Sequence, residues 1–153
     1  MRYLLDTNVL VSATSREMPG HTAAVDVVER TLEGTEPWCL TWVNVYEFLR
    51  IATHPRIFPT PLRWADALRQ VQTLLDHPSI EVLNETERHA SVLETAVRTA
   101  GGASGNFVHD CHIAALLIEH DVRCIVTGDA HFRRFPDLIV LTPEEFLSTG
   151  AKG

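Results

Sequence analysis

Apolar residues in this chain fall into two kinds of run. The short, unbroken kind comprises Arg2–Leu5, Trp38–Thr41, Ile80–Leu83, Cys124–Thr127 and Leu138–Leu141. Runs this short and continuous read as buried strands. Between them lie longer stretches with helical spacing. His21–Leu32 places Ala24, Val27, Val28 and Leu32 on one side and stops at Gly34. Asn44–Thr53, the amphipathic Arg63–Asp76, Thr86–Ala100 before Gly101-Gly102, and the apolar Val108–His120 are predicted helices. Asn44 and Glu47 have the spacing of a capping box. Thr142-Pro143-Glu144-Glu145 opens a last helical turn with Pro at its first position and Glu at its third. Ser12–Gly20, the proline-rich His54–Pro61 and Gly101–Asn106 read as loops. Strands alternating with helices predict an α/β fold with a mostly parallel central sheet and helices on both faces.

Composition narrows this picture. The 153 residues suit a single domain, 1–153, with its own core. No apolar run approaches the roughly 20 residues of a membrane span, and Tyr3 begins a strand where a signal peptide would place its leader. Three cysteines, Cys39, Cys111 and Cys124, are an odd number, two of them in apolar segments. That favours reduced core thiols in a cytoplasm over a disulfide framework. The net charge of −7 argues against a large nucleic-acid footprint, although each divalent cation bound would return +2. Positive charge comes from twelve Arg and a single Lys, Lys152. Arg suits bidentate contacts with phosphate or carboxylate; a GC-rich genome gives the same bias.

Four acids then stand out. Asp6 ends the first predicted strand and Asp129 follows the fourth, so both lie at the carboxyl rim where open α/β sheets bind ligands. Glu47 shares a helix face with Val43, Arg50 and His54. Asp110 sits in the first turn of an apolar helix, above Ile113, Ala114 and Leu117, and so points along a buried face. Each has a plainer role: Asp6 as a helix cap, Glu47 as half of a capping box, Asp129 as a turn residue. Gathered at one rim they would repel one another, and a divalent cation would relieve that repulsion.

The pattern Leu4-Leu5-Asp6-Thr7-Asn8-Val9-Leu10, then Glu47-Phe48, Asp110-x-x-Ile113-Ala114-Ala115 and Thr127-x-Asp129-x-x-Phe132 resembles the PIN-domain ribonucleases. It is most similar to the VapC toxins of bacterial toxin–antitoxin pairs. Gly105-Asn106 and Phe132-x-x-Phe135-Pro136 add to the likeness, which spans nearly the whole chain. The resemblance implies a PIN-like three-layer α/β/α sandwich and a metal-dependent endoribonuclease cutting structured RNA such as tRNA or rRNA. It also implies a homodimer and a cognate VapB-like antitoxin. One departure is His131, at a place where many relatives carry a further Asp.

Hard cations such as Mg²⁺ or Mn²⁺ prefer carboxylate and water oxygens. Asp6, Asp110 and Asp129 are the expected metal ligands. Glu47 is expected either to join them or to orient a water as base, with Asn8 and Thr127 holding carboxylates by hydrogen bonds. A phosphodiester attacked by water leaves a 3′-OH and a 5′-phosphate. Arg50, Arg56, Arg133 and Arg134 are candidate phosphate contacts. Trp42, Tyr46, Trp64 and Phe107 are expected in the core first, with base stacking as their alternative role. His109-Asp110-Cys111-His112 is not read as a zinc site, because on a helix Cys111 turns away from the two histidines. Two other readings compete. A haloacid-dehalogenase-like phosphatase would need a second Asp where Asn8 stands, and a non-catalytic PIN-fold binding module would not need all four acids.

Overall fold

The computed structural model describes residues 1–150; Lys152 and the end of the expected 1–153 domain lie outside them. Five strands form one sheet: β1 (Tyr3–Leu5), β2 (Trp38–Thr41), β3 (Ile80–Leu83), β4 (Cys124–Val126) and β5 (Ile139–Leu141). Their order is β3-β2-β1-β4-β5 and every pairing is parallel. The expected mostly parallel sheet is thus wholly parallel. The chain works outward from β1 to β3, then returns to the other side of β1 for β4 and β5. The reversal places a crevice at the carboxyl ends of β1 and β4, where doubly wound sheets take their ligands.

Alternate side chains of each strand feed opposite cores. Leu5, Trp38, Leu40 and Val126 meet α1 (Thr7–Thr14), α2 (His21–Glu33), α3 (Trp42–Ala52), α4 (Trp64–Leu75) and α7 (Pro143–Thr149). Leu4, Cys39, Leu83 and Ile125 meet α5 (His89–Thr99) and α6 (Phe107–Glu119) on the other face. The result is a three-layer α/β/α sandwich, buried on both faces as a parallel sheet requires. Tyr3, Trp38 and Phe146 close one end of the first core with ring centroids 5.1–5.3 Å apart. The cysteines are free and buried. No helix among the described residues is long and apolar enough to cross a membrane.

The structure departs from the sequence reading at several places. Residues 7–14, most of them left between a strand and a loop, form α1, which Asp6 caps through the Thr7 amide. The Ser12–Gly20 loop accordingly starts later. The capping box of α3 pairs Thr41 with Asn44, not Asn44 with Glu47. The helix expected from Thr86 begins at His89. A short 3₁₀ helix, Ala130–Arg134, follows Asp129. Trp42, Tyr46 and Trp64, expected in the core, are 46%, 69% and 59% exposed. They lie on α3 and α4, whose other faces already fill the first core with Val45, Phe48, Leu49, Ala67 and Val71.

Candidate functional site

Asp6 leaves β1 directly into α1 and is almost fully buried. Its Oδ1 accepts hydrogen bonds from the Thr7 amide (2.8 Å) and Asn44 Nδ2 (3.1 Å). Its Oδ2 accepts from Asn8 Nδ2 (2.9 Å) and Thr127 Oγ1 (2.6 Å). Burial nonetheless pushes its pKa up to about 6; the Thr127 and Thr7 hydrogen bonds pull the other way, and Glu47 and Asp129 add to the rise. The cap role and the site role expected of Asp6 therefore coexist in one side chain.

Thr127, at the end of β4, is the hinge of the arrangement. Its hydroxyl donates to Asp6, while the amides of Asn8 (2.9 Å) and Asp129 (2.9 Å) donate to that same oxygen. Asn8 also accepts from the Gly128 amide at 2.7 Å. Asn8 and Thr127 thus tie the rim of β1 to the rim of β4. Held between two oxygens as a donor, Asn8 has no proton to give a leaving group.

Asp110, in the first turn of α6, accepts no hydrogen bond from the described residues. Its pKa is pushed up to about 7, first by burial, then by Asp129, Asp6 and Glu47, with His131 opposing. Asp129 caps the 3₁₀ helix, accepting from the His131 amide at 2.8 Å and lying 3.1 Å from His131 Nδ1. One ligand atom from each of Asp110, Asp129 and His131 lies within 4.8 Å of the others. Asp6, Glu47, Asp110 and Asp129 all line one cleft of about 510 Å³. A larger cleft of about 950 Å³ adjoins it, sharing Glu47, Asp110 and Asp129 and walled by Trp42, Tyr46, Arg50 and Phe107.

The four arginines separate. Arg50 lines the larger cleft. Arg56 sits in the proline-rich loop, its amide bonded to His54, and lines neither cleft. Arg133 lies 3.8 Å from Glu145. Arg134 covers the Phe107 ring at 4.0 Å and donates to the Ala100 carbonyl at 3.0 Å. Phe107 in turn stacks on Phe135 at 5.6 Å.

Asn44 is the residue whose part in the site the sequence reading missed. Fully buried, it closes the α3 cap and also donates to Asp6 Oδ1 and Thr7 Oγ1. Its cap position after a strand was legible; its reach to Asp6, 38 residues away, was not. Asn44→Ala takes away the side-chain acceptor of the Thr41 amide and one of the two donors to Asp6 Oδ1, so a loss of about 2–3 kcal/mol in urea unfolding is expected. A change under about 0.5 kcal/mol, the ordinary size of a neutral surface substitution, would show that Asn44 carries no such load.

Residues 3–138 match the PIN domain family model. The chain is 36% identical over 132 residues to ribonuclease VapC37 of Mycobacterium tuberculosis, covering 86% of this chain and 90% of that protein. It is 31% identical over 143 residues to ribonuclease VapC48 of the same species, covering 94% and 98%. Among solved structures, VapBC-1 of nontypeable Haemophilus influenzae shares the fold with a TM-score of 0.64 at 18% identity, covering 94% of this chain and 99% of that one. VapBC2 of Rickettsia felis, solved bound to a promoter DNA fragment, gives 0.63 at 18% identity, with 93% and 98% covered. Fold, rim carboxylates and sequence relatives agree: the chain belongs to the PIN-domain family, alongside the VapC ribonucleases.

Proposed function

We propose that this protein is a divalent-metal-dependent endoribonuclease, the toxin of a toxin–antitoxin pair, cutting structured RNA such as tRNA or rRNA. The observation that carries this reading is the convergence of four carboxylates on one cleft at the sheet's reversal point. The donor set fits Mg²⁺ or Mn²⁺, being all hard oxygen apart from the His131 ring at its edge. Asp110, which has no hydrogen-bond partner among the described residues, and Asp129 would hold the ion. Asp6 already has four donors, two of them from Thr7 and Asn8, which line the cleft; it would join them by giving up the Asn8 side-chain amide, which can swing away where the Thr7 backbone amide cannot. Bound there, a divalent ion makes water more acidic and offsets phosphate charge.

The protein's own groups supply the rest. Thr127, Asn44 and the Thr7 amide hold Asp6 in one orientation, so little reorganisation is needed when substrate arrives. Glu47 borders both clefts and is placed to take the proton of an attacking water. Arg50 meets a phosphate in the larger cleft, where the exposed rings of Trp42 and Tyr46 offer stacking faces. Water attack leaves a 3′-OH and a 5′-phosphate. The test is cleavage of structured RNA by the purified chain: cuts with Mn²⁺ or Mg²⁺, none with EDTA, and cutting slowed at least about 100-fold in Asp6→Asn. Metal-independent cutting, or an Asp6→Asn protein within about tenfold of the parent rate, sinks the reading.

A partner follows from the charge. A chain of net charge −7 with an acidic cleft attracts a basic segment. The protein encoded immediately upstream, a VapB-like antitoxin, is expected to place an Arg among the four carboxylates and to cover apolar surface, since the planar guanidinium bridges two carboxylates. Pull-down of that neighbour followed by the RNA assay checks this. Tight binding that leaves cleavage intact means the cleft is not occluded. No binding at all removes the antitoxin reading and leaves the nuclease reading standing.

A further inference from the structure

A second cluster of ligand-type side chains lies outside the acidic rim. Glu85 follows β3, His89 opens α5 and His112 lies on α6, and one ligand atom from each falls within 4.8 Å of the other two. His112 Nε2 faces Glu85 Oε1 at 2.7 Å, and the two imidazole rings meet edge-to-face at 5.1 Å. Behind His89 stands Glu119, whose side chain is wholly buried. Its Oε1 accepts from the Thr86 amide (3.0 Å) and hydroxyl (2.5 Å), and its Oε2 meets His89 Nδ1 at 2.6 Å. A carboxylate accepts there, so Nδ1 carries the proton. In the neutral ring that leaves Nε2 as the lone-pair nitrogen, and it has no partner among the described residues. Glu85–His112 alone is an ordinary exposed pair, worth little to stability. A buried carboxylate fixing the tautomer and orientation of a histidine beside a second histidine and a carboxylate is the arrangement that prepares a metal ligand.

The geometry points to a transition-metal site, best suited to Zn²⁺, formed by Glu85, His89 and His112 and oriented by Glu119. Two imidazoles and one carboxylate are a borderline donor set that favours Zn²⁺ over Mg²⁺. Tetrahedral ligands about 2.0–2.1 Å from zinc lie about 3.3 Å apart, so small side-chain rotations suffice. Three protein ligands leave a fourth position open. His112 also lines the larger cleft, so that position lies beside the proposed RNA path. The ion would pin the start of α5 and the loop after β3 to α6, the helix that carries Asp110. This site does not depend on the nuclease reading.

The probe is Co²⁺, titrated into the purified, tag-free full chain and then displaced by Zn²⁺. One equivalent should develop the visible absorption of a low-coordinate Co²⁺ ion, and Zn²⁺ should bleach it. Glu85→Gln and His112→Asn, both partly exposed and so tolerant of change, should weaken binding at least about 100-fold, beyond the 10–100-fold of losing an orienting residue. Asp129→Asn, which alters the acidic rim, should leave the band in place. Circular dichroism checks that each variant is folded. The assignment is overturned if no band forms, if it outlives either Glu85→Gln or His112→Asn, or if Asp129→Asn abolishes it.

Discussion

Asp110→Asn is expected to lower RNA cleavage by about 10²–10⁴-fold, because an ion's stabilisation of the transition state is worth several kcal/mol and each 1.4 kcal/mol is a factor of about ten. Asp6→Asn and Asp129→Asn should fall in the same range. Glu47→Gln should cost about 10²-fold or more if it takes a proton. The loss should sit in the rate of the bound complex rather than in RNA affinity, since Arg50 and the ring-lined wall are untouched. Pairing two of the substitutions should cost hardly more than one, because the carboxylates act as a unit. Measured single-turnover rates at saturating enzyme check this. An Asp110→Asn protein that is folded and within tenfold of the parent rate would refute a role for this carboxylate in the chemistry.

The same substitution should make the metal-free protein more stable. Asp110 is pushed up to about 7 and Asp6 to about 6, against 3.8 for a free side chain. A carboxyl whose pKa is raised by folding binds more protons in the native state than in the unfolded chain. Stability is therefore lost as pH rises from about 4 to about 7, and the full penalty applies above that. A pKa unit is worth about 1.4 kcal/mol, and solvent screening at this half-buried group lowers the full conversion, so for Asp110 the penalty near pH 8 is on the order of 2 kcal/mol. Urea unfolding in EDTA should accordingly show lower stability at pH 8 than at pH 5. Asp110→Asn should flatten that slope and raise the pH 8 value. Mn²⁺ should stabilise the parent at pH 8 by mass action and the variant much less. If the variant is no more stable than the parent and gains as much from Mn²⁺, repulsion and desolvation at this rim are not what strains it.

The link between these two results is the position of the rim itself, and its legibility was uneven. Asp6 and Asp129 could be placed from sequence because a short apolar run fixes where a strand ends, and a carboxylate there has one rim to occupy. Asp110 could be placed because its helix is apolar below it, which settles the direction of the first turn. The cap role offered as the plainer one for Glu47 does not occur: Asn44–Glu47 and Thr41–Asn44 have the same spacing, and Thr41 won because it ends β2 in extended conformation. α1 was missed because its apolar residues fall as a consecutive Val9-Leu10-Val11 run between polar ones, without a helical stripe, and are buried on several sides.

Hydrophobic period and strand length, which are local properties, determined the layered α/β arrangement, the strands and the carboxylates at their ends. The wholly parallel order β3-β2-β1-β4-β5 required long-range pairing to decide. So did the exposure of Trp42, Tyr46 and Trp64, because a helix has more faces than the core can take and only packing chooses among them. The hydrogen bonds from Asn44 and Thr127 to Asp6 span 38 and 121 residues. The meeting of Glu85 and His89 with His112 spans the whole of α5. The local run around His112 offered no metal site, since Cys111 faces the core; tertiary structure supplied other partners from across the sheet's second layer. Polar side chains carry no periodic signal that names a distant partner, so only the folded chain could bring them together.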